Sequence, residues 1–450
     1  ATPRATSQAR AEGVRTVEEH LAAVLAAVRP TEAISLPVTA ALGLVTAQDV
    51  SARVDLPGFD NSAMDGYAVR AADVAGASAG EPIQLAIVAE VAAGAVAAVE
   101  VARGQTVRIM TGAMMPAGAD AVVMVEDTSE PEPGVVEVRA SVPVGRSVRA
   151  RGEDVVADTV VLPAGSVLTA QRIGLLAATG HAEVLVHRRP VVAVLSTGSE
   201  LVPPGRPLEP GHIHDSNSYL LAAALAGCGV EVRRHDPVAD SGPDLRAALA
   251  ELSTSVDAVV TSGGVSMGVY DVVKDAFGVT GAAGHGSGDV GTIDFVQVAM
   301  QPGKPQGLGR LGARGIPLFA LPGNPVSAYV SFEVFVRPAL EAMTGRTPTR
   351  RGLRGTVSAT LRSPRGRRQI ARAVARHTAA GWVADPVWGQ ASHFVADLAR
   401  ANSFVVVPEE VVELHPGDEV EIWLLAGADW VGAGDAALSA DPVEGEGSRR

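Results

Sequence analysis

The chain has 450 residues, 47% hydrophobic and 19% charged, so it is too long for one ordinary core and too apolar to stay unfolded, and a multi-domain globular protein is expected. Its 50 acidic and 37 basic side chains leave a net charge of −13, which argues against nucleic-acid or anionic-lipid partners. No uninterrupted apolar stretch reads as a membrane span or a secretory signal, and the single cysteine, Cys228, excludes an intrachain disulfide or a multi-thiolate zinc site, so a cytoplasmic protein with a packed cysteine is expected.

Residues 1 to about 15 are polar and contain proline, and residues 426–450 are rich in Gly, Ala, Asp and Ser; both ends are expected to be disordered. The first ordered element is a helix from Thr16, with apolar residues at Val17, Leu21, Val24, Leu25 and Val28, Thr16 as N-cap and Glu19 as its capping-box partner. From about Pro30 to Pro190 short alternating runs such as IQLAIVAEV, TVRIM and VVEVRA are separated by Gly and Pro, the pattern of a β-rich region, read as two interleaved domains. The style then changes. VVAVL, VEVRR, DAVVTS and PLFAL are nearly continuous apolar strands, and SYLLAAALA, DLRAALAEL and VSAYVSFEVFV between them have helical character. That alternation predicts a mostly parallel sheet covered by helices on both faces. The region from GLRGTVSATLRS to DEVEIWLL returns to strands and reads as a small barrel or sandwich. Arg350, Arg351, Arg354, Arg362, Arg365, Arg367, Arg368, Arg372 and Arg376 fall there in a stretch without Asp or Glu, either an anion-binding surface or a solvated basic face.

Ligands of open α/β sheets bind beyond the carboxyl ends of the strands. Four loops lie at such ends: Ser196-Thr197-Gly198-Ser199-Glu200, Ser262-Gly263-Gly264-Val265-Ser266-Met267-Gly268, Gln301-Pro302-Gly303-Lys304-Pro305 and Pro322-Gly323-Asn324-Pro325-Val326-Ser327. Their glycines, hydroxyls and helix starts suit phosphate or another oxyanion, with Lys304 as the only cation within them. Glu200 and Asp271 beside the anion site imply a hard divalent cation such as Mg2+. The run Gly286-Ser287-Gly288-Asp289-Val290-Gly291 matches a dinucleotide fingerprint but precedes a strand, so it is expected to be a flexible loop; His212 and His214 lack the companions of a zinc site. Walker A, G-x-S-x-G and H-E-x-x-H motifs are absent.

The segment LPGFDNSAMDGYAV, Leu56 to Val69, resembles the hallmark of the molybdopterin molybdenumtransferase family, which includes the C-terminal domain of gephyrin. TGAMMPAGADAVVMVED, Gly152-Glu153-Asp154, STGSEL, HDSNSY, TSGGVSMGVYD, PGKP and LPGNPVSAYVSFEVFV extend the resemblance over about Thr16 to Leu425. It implies a homodimer of multi-domain α/β plus β subunits. The parts are an interrupted first domain (16–54 and 149–189), an inserted β domain (55–148), a central α/β domain similar to the pterin adenylyltransferase (190–345) and a C-terminal β barrel (346–425). The implied reaction inserts molybdate into adenylylated molybdopterin and releases AMP with Mg2+. The pterin adenylyltransferase and molybdoenzyme clients are the implied partners. Tungstate is not separable from molybdate on sequence.

By the same resemblance the functional acids are Asp65, Asp154, Glu200, Asp240 and Asp271, with Asp271 and Glu200 as metal ligands. Ser62 either binds the ligand or stabilises its own turn. Thr197, Gly198, Ser262, Gly263, Gly264, Lys304, Pro322, Gly323, Asn324 and Arg372 form the substrate-binding set. Lys304 matches the second lysine of a K-P-G-K-P pattern whose first lysine is here Gln301, and His393-Phe394-Val395-Ala396-Asp397 stands where the family often has serines. The competing readings are the adenylyltransferase of the same pathway and a binding scaffold without turnover.

Overall fold

The structure, a computed structural model, describes residues 14–96, 98–265, 272–279, 284–349, 352–387 and 389–425. The chain divides into two compact units, one of Ala33–Val186 and one that joins Ala1–Glu32 to His187–Arg450.

The first unit is built on two main sheets with three cores. A three-stranded sheet of Ala33–Pro37, Glu183–His187 and Val45–Thr46 packs with the helix Ala170–Ala178 around Val38, Leu44, Leu168, Leu176 and Val184. A six-stranded sheet runs in the order Thr128–Glu132, Val135–Val138, Ile83–Val91, Gln105–Ile109, Gly66–Val69, Ala121–Met124. Successive residues of a strand face opposite sides. Tyr67, Val69 and Val123 accordingly enter one core, while Ala68 and Val122 enter the other. Both faces of this sheet are buried, which explains why the runs VVM and GYAV are apolar at consecutive positions.

The second unit is built on an eight-stranded sheet, in the order Val14–Arg15, Gly291–Val298, Pro305–Leu311, Ile316–Leu321, Ala258–Ser262, Val191–Ser196, Glu231–Arg234, with Gly284–Gly288 added beside Gly291–Val298. It is more mixed than the apolar runs suggest. Ile316–Leu321 through Glu231–Arg234 pair in parallel, but Gly291–Val298, Pro305–Leu311 and Ile316–Leu321 are antiparallel neighbours. The connections between those three strands are too short to carry a crossover helix, so the chain turns straight back. Two successive reversals restore direction, and Gly291–Val298 ends at the same edge as the parallel strands.

Val192, Val194 and Val260 face a core with the helices Val17–Ala27 and Asn217–Ala226 and the helical run Pro325–Met343, which includes a π-helical stretch at Phe332–Val336. Ala193, Leu195 and Val259 face the opposite core with the helix Gly242–Ser253. Three expectations change here. The first helix packs Val17, Val24 and Val28 into the α/β core rather than joining the β-rich region. Order begins before Thr16, because Val14 and Arg15 pair with Gln297 and Val298. The glycine-rich run expected as a loop is the hairpin of Gly284–Gly288 and Gly291–Val298. A Cβ at Gly286 would lie 2.8 Å from the Phe277 carbonyl oxygen, so only glycine lets that strand approach so closely. The capping box is present, with Glu19 N–H donating to Thr16 Oγ1 at 3.1 Å and Thr16 N–H to the Glu19 carboxylate at 2.8 Å.

Leu353–Val357, Gly381–Pro386, Arg368–Thr378, Ser403–Val407 and Glu419–Leu424 pair in that order, and the last returns to the first, closing a five-stranded C-terminal barrel. Cys228 is half-buried, receives a hydrogen bond from Arg337 Nη1 at 3.1 Å, and has its thiol pushed up to about 11 by burial. It is a packed, protonated thiol.

Candidate functional site

In the unit Ala33–Val186 the strand Gly66–Val69 begins directly after Asp65. A Cβ at Gly66 would lie 2.0 Å from the Val123 carbonyl oxygen, so the turn admits only glycine and the backbone of Asp65 is fixed by the sheet beyond it. The Asp65 carboxylate accepts from Thr111 N–H and Thr111 Oγ1, each at 2.7 Å. The backbone bond and then the hydroxyl bond hold its carboxyl below the usual carboxylate range. Asp65 is exposed and ionised, an acceptor with a set orientation. Asp154 is also exposed, on a loop fastened to the hallmark segment by Asp154 N–H to Leu56 O at 2.9 Å and Arg151 N–H to Asp60 Oδ1 at 2.7 Å. Ser62 is fully buried, and its hydroxyl donates to Met64 O at 2.5 Å. Of the two roles the residue could take, its bonds with Met64 belong to the one in the turn.

In the second unit the strand-end loops meet as the topology requires. Thr197 N–H donates to Ser262 O at 2.9 Å, and Asn217 Nδ2 donates to both Ser262 Oγ at 2.7 Å and Gly323 O at 2.6 Å, so one amide ties three loops together. Ser262 Oγ donates in turn to Pro322 O at 3.3 Å. Gly263 and Gly264 have φ of +98° and +68°, and a Cβ on Gly263 would sit 2.7 Å from Thr197 Oγ1. Part of the need for glycine is therefore internal packing. Two buried polar atoms here have no partner among the described residues, Thr197 Oγ1 and Asn217 Oδ1. Buried polar atoms are nearly always paired in folded proteins, so an unpaired hydroxyl and an unpaired amide oxygen beside each other's loops mark a place for a polar ligand.

Glu200 and Asp240 come to one place. Ser199 N–H donates to Asp240 Oδ2 at 3.1 Å, Asp240 N–H donates to Ser199 Oγ at 2.9 Å, and the Glu200 carboxylate folds over Gly198, 2.6 Å from where a Cβ would be. Asp240 is not a helix cap, since Ser241 caps the helix Gly242–Ser253 by accepting from Asp244 N–H. Asp271, like Ser266, Met267 and Gly268, lies outside the described residues. Among the described residues no group of three or more His, Cys, Asp or Glu is placed to hold a metal.

The helix starts are less available to an anion than the sequence suggests. Asp215 accepts from Ser218 N–H at 3.1 Å at the start of Asn217–Ala226, and the Ser392 carbonyl accepts from Val326 N–H at 3.1 Å at the start of Pro325–Ser331. Asn324 Nδ2 donates to Ser392 Oγ at 2.9 Å, so its amide is engaged by the barrel. Lys304 is half-buried, with no carboxylate within 4.0 Å of its ammonium among the described residues. Arg372 is 1% exposed, and its guanidinium donates to Phe394 O at 2.9 Å, Ala391 O at 3.1 Å and Gly389 O. These three bonds brace the loop that carries Ser392.

Sequence reasoning missed Thr111, Asn217 and Ser392. Thr111 and Asn217 lie inside recognised motifs, TGAMMPAGAD and HDSNSY, so a signal existed; Ser392 offers none, because its partners are far away in the chain.

The chain matches the MoeA N-terminal region (domain I and II) over residues 15–180, a probable molybdopterin binding domain over 193–342 and the MoeA C-terminal region (domain IV) over 354–425. A molybdopterin molybdenumtransferase 2 of Mycobacterium tuberculosis is 45% identical over 414 residues, covering 91% of this chain and 99% of the relative. The molybdopterin molybdenumtransferase of Bacillus subtilis is 34% identical over 391 residues, covering 85% of this chain and 88% of the relative. The solved structure of the molybdopterin biosynthesis moea protein from Pyrococcus horikosii superposes with a TM-score of 0.77 at 32% identity, covering 91% of this chain and 99% of that one.

Proposed function

Because the chain belongs to the molybdopterin molybdenumtransferase family, we propose that it inserts molybdate into adenylylated molybdopterin and releases AMP, its step in molybdenum cofactor biosynthesis. The observation that carries the site is the pair of buried atoms without a partner among the described residues, Thr197 Oγ1 and Asn217 Oδ1, at the carboxyl ends of the parallel strands. They offer one hydroxyl and one acceptor to a ligand with its own amide-like donors, as a pterin has.

Mg2+ belongs to this reading. The exposed groups next to that edge, Glu200 and Asp240, are oxygen donors alone, which fits a hard cation, and Asp271 joins them by family resemblance. When bound, the ion would neutralise charge on the phosphate that leaves with AMP. The chain's own residues supply the rest. Thr111 keeps Asp65 ionised and aimed, so that it accepts a proton or a hydrogen bond and does not donate one. Asp154 stands ready in the same role on the neighbouring loop of that unit. A homodimer in the cytoplasm, with a central domain like that of the pterin adenylyltransferase, completes the proposal; sedimentation of the purified protein checks the dimer. No helix among the described residues is long and apolar enough to cross a membrane.

The test is AMP release from adenylylated molybdopterin with and without molybdate and Mg2+, alongside Asp65→Asn and Asp271→Asn. Release that needs molybdate and drops at least a hundredfold in the variants, on the order expected for a lost acid–base group, supports the enzyme. Tight nucleotide binding with no turnover in the wild type refutes it in favour of a scaffold.

A further inference from the structure

Asp215 is 1% exposed, and the reaction as read above gives it no part. A carboxylate is rarely taken out of water unless its oxygens find donors. Here three donors converge on it: Oδ1 accepts from Ser196 Oγ at 2.9 Å and from Ser218 N–H at 3.1 Å, and Oδ2 accepts from Ser218 Oγ. A cap at the start of Asn217–Ala226 accounts for the Ser218 bonds. It does not account for the bond to Ser196, which lies 19 residues back in the chain at the end of Val191–Ser196.

The two serines that Asp215 holds flank the two groups left for a ligand. Ser196 precedes Thr197 and Ser218 follows Asn217, whose Oγ1 and Oδ1 are the buried atoms without a partner among the described residues. One carboxylate therefore fixes the backbone that carries both atoms. The Asn217 amide has a single orientation, because both its N–H groups are given, to Ser262 Oγ and Gly323 O, and a carbonyl can only accept. Oδ1 is the end left over. The main chain around Asp215 joins a third piece: Asp215 N–H donates to Val202 O and Ile213 N–H to Glu200 O, each at 2.9 Å, so the loop bearing Glu200 is tied to the same segment.

We propose that Asp215 is a positioning residue, whose carboxylate holds Thr197 Oγ1 and Asn217 Oδ1 in one arrangement for the amide-like edge of a pterin. This rests on the functional reading above. Oδ1 can only accept and the Thr197 hydroxyl can donate, so the pair suits a ligand edge with an N–H beside a carbonyl, as the pyrimidinone ring of a pterin carries. Groups locked before the ligand arrives lose less freedom on binding, and three bonds to one buried carboxylate supply that locking. Asp215 acts through Ser196 and Ser218 and not by contact with the ligand.

The experiment measures KM and kcat for AMP release from adenylylated molybdopterin by the full chain, with melting of the ligand-free protein and molybdate calorimetry on the same samples. The variants are Asp215→Ala, Asp215→Asn, Ser196→Ala, Ser218→Ala and the double variant Asp215→Ala with Ser196→Ala. Asp215→Ala is expected to raise KM about tenfold without a matching fall in kcat or in molybdate affinity, the pattern of lost uniform binding on the scale of one hydrogen bond. Asp215→Asn recovers most of that loss, since an amide oxygen keeps the bonds from Ser196 and Ser218 N–H and its NH2 group can turn to Ser218 Oγ. Ser196→Ala alone raises KM by a smaller factor and adds nothing in the Asp215→Ala background, because the serine acts only through the carboxylate. Should Asp215→Ala fail to fold, Ser196→Ala and Ser218→Ala, each losing one small hydroxyl, carry the same reading in KM. A lowered melting temperature with KM unmoved in every variant reduces Asp215 to a helix cap and overturns the inference. A fall in kcat with KM unmoved overturns it too, by placing Asp215 in the chemistry. A wild type that releases no AMP overturns the reaction on which the inference rests, and the inference with it.

Discussion

Replacing Arg372 with alanine separates bracing from ligand binding. The side chain is 1% exposed and satisfies the carbonyls of Gly389, Ala391 and Phe394. Burial pulls the guanidinium below its ordinary value, with Asp397 acting in the opposite direction, so the cation is held at a desolvation cost. Removing it relieves that cost but strands three carbonyls and leaves a cavity. At about 1 kcal/mol for each carbonyl that must find water or remain unpaired, the loss is about 3 kcal/mol. In a unit of this size that lowers the thermal transition by roughly 4–8 °C. Arg372→Lys should recover only part, since an ammonium lacks the planar fork that reaches three acceptors. The assay is calorimetric melting of the ligand-free protein, with molybdate binding measured on the same samples. A ligand-free transition that stays within a degree of wild type, together with lost oxyanion binding, would refute the bracing role and return Arg372 to the substrate.

Three further outcomes follow from the charges and hydrogen bonds. Burial lowers His20 to about 4 from 6.5, so the unfolded chain binds the proton first and stability falls as pH drops from 6.5 to about 4, by roughly 3 kcal/mol in total; His20→Phe should show a shallower acid loss in denaturant titrations at stepped pH. Burial pushes the Asp257 carboxyl up, but the bidentate bond from Arg188, at 2.6 and 2.8 Å, outweighs it and the net shift is downward. Its contribution is present above the ordinary carboxylate range and fades as pH falls through the lowered value. Asp257→Asn should therefore be less stable than wild type near neutrality, with the gap closing in acid; an equal gap at both ends would contradict the pairing. Thr111→Val removes the hydroxyl bond to Asp65 and keeps the backbone one, so the acid limb of the AMP-release profile should move up in pH, while Thr111→Ser leaves it near the wild-type position.

Much of this was legible in the sequence, for definite reasons. The capping box at Thr16 and Glu19 and the four strand-end loops depend on neighbours in the chain, and local chemistry announces them. The antiparallel strand Pro305–Leu311 was hidden because QGLGRL alternates glycine with larger residues and does not resemble a buried strand. Arg367 and Arg372 looked alike in a basic run. Only the tertiary register distinguishes the one that faces Gln301 from the one spent on carbonyls. A usable hint was missed in composition: Lys304 is one of two lysines, with Lys274, among 37 basic residues, so a lysine retained in a chain that otherwise favours arginine was worth weight.

The first helix has a consequence for how the protein is made. Val17, Val24 and Val28 belong to a core completed by Phe335, Val336 and Leu340, and His20 stacks edge-on against Phe335 with ring centroids 4.6 Å apart. The ribosome delivers the two halves of that core about 300 residues apart, which at 5–20 residues per second leaves the helix waiting roughly 15–60 seconds. The segment Ala33–Val186, by contrast, is a continuous stretch of chain with its own cores. It can finish folding while the helix before it still has its apolar stripe in water, and the nascent chain during that interval is a natural client for a chaperone at the tunnel exit.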